Sequence, residues 1–340
     1  MSPATWPREG PLAERLLHID PRADRFSDGT LADLPSLLGE GDLLVVNDGA
    51  TMPASLHGTS GDDPIELRLI GEIDDGRFSA LLFGAGDFRT RTEDRPRPPR
   101  LAEGARLRFG DALAATITQV SATSARLVEI AFDERGAALW SALFHHGRPI
   151  QYAHVPRPLS LWHVQTPYAS RPWCAEIPSA GRPLAWGLLL ALIRRGVRVA
   201  WLTHAAGLSS TGDAALDARL PLPERFEIPE ETVRAVDEAR AAGRRIIAVG
   251  TSVARALEGC ALLHGGALEA GRATTDLRID RSFHPRIADG ILTGMHEPRE
   301  SHFDLLEAFA PPALLARAHA HAEQAGYLGH EFGDASLILS

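Results

Sequence analysis

The sequence predicts an α/β protein: a mostly parallel, barrel-like α/β domain flanked by helices, with a small antiparallel β-barrel domain inserted into it. Three observations carry that expectation. Strand-like apolar runs alternate with helix-period segments over residues 184–340. Residues 54–133 read instead as short strands separated by turn residues. One strong apolar run, residues 42–47, lies ahead of that stretch and reads as a buried strand. The expected division is an α/β catalytic domain of residues 1–53 and 134–340, interrupted by a β-barrel-like domain of residues 54–133.

Taken in order, residues 1–53 give a polar lead and then the strand at 42–47. Within the insertion, residues 65–70 alternate with period two, and 77–83, 105–109, 115–120 and 125–130 follow as strands. The Arg- and Pro-rich stretch 87–100 predicts an exposed loop. Apolar positions at helical spacing over 184–195 predict a helix that ends near Gly196 and feeds a strand over 197–202. Residues 229–240 open with Pro and acids and stop at Gly243, as a helix should. A strand over 245–249 and a helix over 252–258 come next. The tail reads as a helix over 312–325 and a short strand over 335–339.

Composition narrows the chemistry. The 340 residues carry 35 basic side chains, all of them Arg. With no lysine, a Schiff base, a pyridoxal-phosphate site, a Walker P-loop and a lysine general base are excluded together. A net charge of −9 gives no global cationic field for nucleic acid. Cys174 and Cys260 are too few for a disulfide framework or a cysteine zinc site, so two reduced thiols are expected. The first ten residues lack an apolar signal core, and no run of 18 uncharged apolar residues exists. The expectation is a cytoplasmic protein with no membrane partner. No nucleophile elbow or dinucleotide fingerprint appears.

Five segments carry candidate polar groups, and three of them, at 47–48, 203–207 and 250–252, follow strands, at the rim where open α/β sheets bind ligands. Gly250 lets the chain turn between strand and helix, and Thr251 and Ser252 can cap that helix. Thr203 and His204 follow the strand at 197–202, and Gly207 admits close backbone approach. Ser179 and Gly181 precede the long helix, where Ser179 can cap. His296, Glu297, Arg299 and His302 crowd a loop after the Asp289-Gly290 turn, without metal-ligand spacing, so no metal is expected. Asn47 and Asp48 end a strand that reads as buried, where polar residues need partners or form a turn.

In order and spacing, these segments resemble the S-adenosylmethionine:tRNA ribosyltransferase-isomerase family of queuosine biosynthesis. The correspondence runs from about Arg15 to the C-terminus. It includes Leu43-Leu-Val-Val-Asn-Asp48 with Pro53-Ala54, Gln165-Thr-Pro-Tyr-Ala169 and Pro178-Ser-Ala-Gly181. It continues through 203–208, Phe226-Glu-Ile-Pro-Glu-Glu-Thr232 and Ile247-Ala-Val-Gly-Thr-Ser252, and closes with Asp289-Gly-Ile-Leu-Thr293, His296 and Phe332-Gly-Asp-Ala335. The resemblance implies that S-adenosylmethionine is a co-substrate, with no prosthetic group. Its ribosyl part is transferred and isomerised onto a 7-aminomethyl-7-deazaguanine of tRNA, giving epoxyqueuosine with release of adenine and methionine.

On that resemblance, Ser179, Gly181, Thr203, Gly207, Gly250, Thr251 and Arg255 line the S-adenosylmethionine site. His204 or His296 transfers protons, and Asn47, Asp48, Tyr168, Arg299 and Asp334 hold the substrates. Several family residues are substituted. Pro183 stands where the pattern has His, and His204 falls one residue before the family's His, which is Ala205 here. Two family arginines become Ala50 and Ser55. Lost His and Arg are groups that do acid–base work and hold phosphate. They leave two alternatives open: a homologue using S-adenosylmethionine on a small molecule in specialised metabolism, and a non-catalytic nucleoside-binding protein.

Overall fold

In the computed structural model, which describes residues 1–298 and 300–340, the N-terminal segment is more regular than its polar composition suggests. Arg15–Asp20 (β1) and Arg25–Thr30 (β2) pair as an antiparallel hairpin, with Leu16, Leu17 and Ile19 buried. Leu43–Asn47 (β3) is buried at every residue. The next six strands are Ser55–Ser60 (β4), Asp63–Asp74 (β5), Arg77–Phe83 (β6), Arg106–Phe109 (β7), Leu113–Val120 (β8) and Leu127–Phe132 (β9). They close into an antiparallel barrel in the order β8-β9-β6-β5-β4-β7. Gly136–His146 (α1) returns the chain to the larger layer.

From there helix and strand alternate. Trp186–Arg194 (α2) leads to Arg198–His204 (β10), Glu224–Ile228 (β11) and Glu230–Ala241 (α3). Ile246–Val249 (β12) runs into Thr251–Leu263 (α4), followed by Gly271–Thr275 (β13) and Gly290–Gly294 (β14). Ser301–Leu306 (α5), Pro312–Gln324 (α6) and Ala335–Ile338 (β15) complete the chain. Nine of the strands outside the barrel form one sheet in the order β13-β11-β10-β3-β12-β14-β15-β1-β2. The α/β class and the inserted barrel are as expected, but the sheet is open and mixed rather than barrel-like. Its centre, β10-β3-β12-β14, is parallel, and antiparallel pairs flank it.

Period two explains the layers. Leu43 and Val45 of β3, Ile246 and Ala248 of β12 and Ile291 of β14 join α3, α4 and α6 in one core. Leu44, Val46, Ile247, Val249 and Leu292 face the other way and pack with Leu188, Leu189 and Leu192 of α2. A sheet buried on both faces reads as continuous apolar strands, which is why its centre was visible in the sequence. β11, β13 and β14 were harder to see: β13 is an edge strand of small and polar residues, β11 alternates apolar and charged residues, and β14 is bounded by glycines. The barrel has its own core of Leu56, Leu67, Phe78, Phe109 and Phe132, extended by Ala175, Leu208 and Leu216 from the larger layer.

Two further expectations need correction. Residues 87–100 are not simply an exposed loop: Thr92 and Arg95 are buried, because Arg95 turns inward to Glu66. The 289–294 segment is a strand after a turn, held by Ile246 N donating to Asp289 Oδ2 at 2.8 Å and by parallel pairing with β12. Among the described residues no helix is long and apolar enough to cross a membrane.

Barrel closure depends on close backbone approach at the β4–β7 seam. A Cβ on Gly58 would lie 2.0 Å from Arg108 O. Gly58→Ala is therefore expected to lower unfolding free energy by about 1–3 kcal/mol in urea titration. A change inside 0.5 kcal/mol, about the size of a neutral surface substitution, would mean that the seam is not closed at this position.

Candidate active site

The carboxyl ends of β3, β10, β12 and β14 lie side by side, so each loop leaving them reaches one rim. Asn47 ties the first two ends together. Its Oδ1 accepts from His204 N and Gly49 N, both at 2.9 Å, and its Nδ2 donates to His204 O at 3.0 Å. Cys174 Sγ donates to the same carbonyl at 3.2 Å. Gly49 is required here, since a Cβ would lie 2.5 Å from Cys174 Sγ. Both cysteines are free and buried, and burial pushes the Cys174 thiol up to about 12.

Beyond this clamp the pleat sends Thr203 and His204 to opposite sides. Thr203 Oγ1 donates to Asp48 Oδ1 at 2.5 Å and accepts from Arg171 Nη2 at 2.5 Å. Arg171 Nη1 also donates to Glu227 Oε2 at 2.7 Å, and Arg272 Nε reaches the same oxygen at 2.6 Å. Trp173 lies under three guanidinium groups, those of Arg225, Arg171 and Arg272, at 4.2, 4.6 and 5.7 Å from its ring centre. Asp48 also accepts from Ser170 Oγ at 2.8 Å.

On the other side His204 is wholly buried, with neither ring nitrogen hydrogen-bonded among the described residues. Its Nε2 stands 3.4 Å from Glu224 Oε2. Glu224 is itself buried and accepts from Gly207 N at 2.6 Å and from Arg255 Nη1. Arg255, on the second turn of α4, also donates from Nε to Leu277 O at 3.0 Å, while its buried Nη2 has no partner among the described residues. Burial, with the Arg255 charge, pushes His204 well below the usual histidine range, so the imidazole is neutral. Burial raises Glu224, against the pull of Arg255.

The rim continues through two more imidazoles. His296 Nε2 is 2.9 Å from Thr293 Oγ1, and its ring centre is 5.1 Å from that of His302. Burial, then the neighbouring His302 and His330, push His296 well down. Burial and Arg255 lower His302 to about 4. A groove beside them is lined by Ser179, Ala180, Pro183, Gly294, His330, Glu331 and Asp334. Gly250 abuts it: at φ +91° it holds the cap position of α4, and a Cβ there would meet Ala180 Cβ at 3.3 Å. No side chain caps this helix, so Thr251 and Ser252 begin it rather than cap it.

Of the expected site residues, the structure gathers His204 and Arg255 around Glu224, and Ser179 and Asp334 around the groove. Gly207 serves to seat Glu224, since a Cβ there would lie 2.6 Å from its Oε1. Thr203 and Asp48 belong to the Arg171 network. Asn47, Tyr168 and Asp334 have their polar atoms engaged by the protein rather than open to a substrate. Tyr168 OH donates to Gly181 O at 3.2 Å. Asp334 accepts from Arg15 N at 3.0 Å and Leu328 N at 2.8 Å and pairs with Arg8 at 2.7 Å. Arg299 lies outside the described residues. Glu224, Arg171, Trp173, Arg225 and Arg272 were not anticipated. For Glu224 the signal existed: it shares the buried face of an alternating strand with Phe226 and Ile228.

The model of the family described as "Queuosine biosynthesis protein" matches residues 2–338. The chain belongs to that family. A relative from Aromatoleum aromaticum, named S-adenosylmethionine:tRNA ribosyltransferase-isomerase, is 33% identical, covering 97% of this chain and 93% of the relative. A relative of the same name from Thermosynechococcus vestitus is 34% identical over 93% of this chain and 87% of its own length. The crystal structure of S-adenosylmethionine tRNA ribosyltransferase from Thermotoga maritima superposes with a TM-score of 0.54 at 25% identity, covering 99% of this chain and 96% of that one.

Buried neutral imidazoles make a pH prediction. The unfolded chain protonates its histidines near 6.5, whereas folded His302 resists until about 4. The native state then binds fewer protons, so this contribution is complete above about 6.5 and is lost as pH falls toward 4. Urea midpoints should drop between pH 7.5 and 5.5, and His302→Asn should flatten the slope by about 1 kcal/mol per pH unit. Equal slopes in the two proteins would contradict a neutral His302.

Proposed function

We propose that the protein is an S-adenosylmethionine:tRNA ribosyltransferase-isomerase, with S-adenosylmethionine as co-substrate and a 7-aminomethyl-7-deazaguanine of tRNA as acceptor. The observation that carries the reading is the neutral, unpartnered His204 imidazole held beside the Glu224–Arg255 pair at the strand-end rim. A sulfonium acidifies its neighbouring C–H bonds, and a neutral imidazole freed from other hydrogen bonds is fitted to take such a proton. Glu224 faces the ring that becomes cationic and stabilises it. Arg255 Nη2, without a partner among the described residues, has both its N–H groups to offer a carboxylate, that of the methionine part, and the uncapped N–H groups of α4 lie one turn away.

In this reading the nucleoside lies along the rim at Gly250, beside the narrow groove of Ser179, Gly294 and His330. His296, bonded to Thr293, is the second group that can move a proton, to the departing adenine. Asn47, Tyr168 and Asp334 then act as positioning residues, each fixing a turn that carries a contacting group. The acceptor tRNA needs local cationic contacts on an acidic protein, and in this reading Arg171, Arg225 and Arg272 around Trp173 offer them by exchanging Glu227 and Glu72 for phosphate. The same reading places the enzyme in the cytoplasm. It assigns the chemistry to a domain of residues 1–53 and 134–340, with the barrel domain, 54–133, alongside. The relatives do not favour the small-molecule and binding-protein alternatives.

Incubation with S-adenosylmethionine, with and without tRNA carrying the acceptor base, should release adenine and methionine only when tRNA is present, read by mass spectrometry. Release without tRNA would sink the acceptor assignment. His204→Ala should lower kcat by about 10²–10⁴-fold, and Glu224→Gln by a smaller factor in the same direction. Full turnover in both would remove His204 from the chemistry. Arg272→Glu should weaken tRNA binding several-fold and reduce its salt slope by about 1, with S-adenosylmethionine binding unchanged.

A further inference from the structure

Outside the His204 cluster, two loops far apart in the chain bring two imidazoles and a carboxylate together. His154, His330 and Glu331 each offer one ligand atom, and the three atoms lie within 4.8 Å of one another. His154 Nε2 is 3.0 Å from Glu331 Oε2. The rings of His154 and His330 stack, with centres 4.4 Å apart and planes at 30°. His154 and Glu331 are 177 residues apart in the chain, so no local spacing announces them. The trio is open to solvent. The side chains of His154 and Glu331 are 16% and 20% exposed, and His330 is exposed. His330 and Glu331 also line the narrow groove beside the rim. An ion can therefore reach all three.

The backbone is built to deliver these groups. Consecutive side chains of an extended chain point to opposite sides. His330 breaks that alternation at φ +66°, a region that a non-glycine residue enters at a cost. Both His330 and Glu331 then reach His154. The turn that carries them is pinned by the buried Asp334, whose Oδ2 accepts from Leu328 N at 2.8 Å, and by Gly333 N donating to His330 O at 2.9 Å. A Cβ on Gly333 would lie 2.4 Å from Leu328 O, so the turn is tight. The buried Gln151 pins the other loop. Its Nε2 donates to Val155 O and Arg157 O, both at 2.7 Å, and its Oε1 accepts from Leu159 N at 2.8 Å. Ligands on loops fixed in this way are preorganised.

We propose that His154, His330 and Glu331 bind one zinc ion, which ties the 151–159 loop to the 328–334 turn and fixes one wall of the groove. With the imidazoles neutral, as metal ligands must be, the trio carries one negative charge. The Glu331 charge also helps to raise the nearby Glu176, a repulsion that a dication relieves. Two imidazole nitrogens and one carboxylate oxygen suit zinc, whereas magnesium and calcium take oxygen ligands. Ligand atoms around tetrahedral zinc are about 3.3–3.5 Å apart. The His154–Glu331 pair is already near that spacing, and small side-chain rotations bring in His330. A fourth position is left for water. The ion's part is structural, since neither His204 nor His296 is a ligand. Its binding does not rest on the activity proposed above.

The test uses the full chain, stripped with a chelator and then given zinc. Elemental analysis after gel filtration should find one zinc per chain. Competition with a chromophoric chelator gives the affinity. His154→Gln and Glu331→Gln should each weaken it by at least about 10–100-fold, the loss that follows removal of a mere outer partner of a metal site. His57→Gln, at an exposed histidine of β4, should bind as the wild type does. Cobalt(II) in place of zinc should give the visible bands of a low-coordinate site in the wild type and not in His154→Gln. Free zinc at about 100 times Kd should raise Tm by about 3–5 °C, and magnesium at the same concentration should not. The proposal is overturned if the wild type retains no zinc, or if both variants bind it as the wild type does, which would put the ion on scattered surface histidines. The wild-type stoichiometry and cobalt spectrum decide this even if a variant does not fold. Turnover of S-adenosylmethionine, measured on the same samples, reports separately on the rim.

Discussion

The candidate site depends on one side chain, Asn47, spanning two parallel strand ends. An amide that accepts twice and donates to a neighbouring backbone carbonyl fixes both the chain direction and the pleat of the facing strand. Because His204 N and O are both held by Asn47, the ring that follows cannot swing, and Thr203 is committed to the other side. The two halves of the site follow from that choice. One is a buried acid–base cluster with Glu224 and Arg255, the other a half-buried network of Asp48, Thr203 and Arg171. A buried Asn with all its bonds made rigidifies rather than destabilises.

Burial then sets the chemistry of the imidazoles. His204, His296 and His302 are all driven toward the neutral form, first by loss of solvent and then by adjacent positive or imidazole groups. The same loss of solvent raises the Glu224 carboxyl, against the pull of Arg255. Environments that move neighbouring titratable groups apart from their ordinary values are the arrangement by which a fold separates proton acceptor from stabiliser. The cost is paid in stability and is supported by the two packed cores on either side of the sheet.

The sheet centre was legible because β3, β10 and β12 are apolar on both faces, a pattern that survives without knowledge of partners. The barrel strands β5 to β9 were legible from alternation, but β4 was not: Ser-Leu-His-Gly-Thr-Ser shows little pattern, and closure of the barrel makes it a strand. His204, Arg255, Ser179 and Gly250 could be named because they follow strands or turns. Glu224 could be reached only by noticing an acid on an apolar face. The Arg171–Trp173–Arg225–Arg272 grouping draws on three distant segments, so no local spacing encodes it. Arg95 misled because an Arg- and Pro-rich stretch ordinarily stays in water, and only the position of Glu66 explains why this arginine does not.

The substituted family positions take on a different weight once placed. A one-residue shift of a histidine along a strand reverses its direction, which would make His204 a poor stand-in for a histidine at 205. The strand, however, ends at His204: Ala206 N donates back to His204 O at 3.0 Å, and Ala205 N bonds Arg225 O at 2.9 Å. A tight turn begins there, so pleat alternation no longer dictates the face of the next residue. His204 keeps its imidazole 3.4 Å from Glu224. Pro183 likewise removes an imidazole from the groove wall, yet His330 lines the same groove and lies close enough to His296 to depress it. The rim keeps its complement of imidazoles while changing which segments deliver them. An arrangement of side chains held by geometry rather than by motif is what a chain one-third identical to its relatives can still keep.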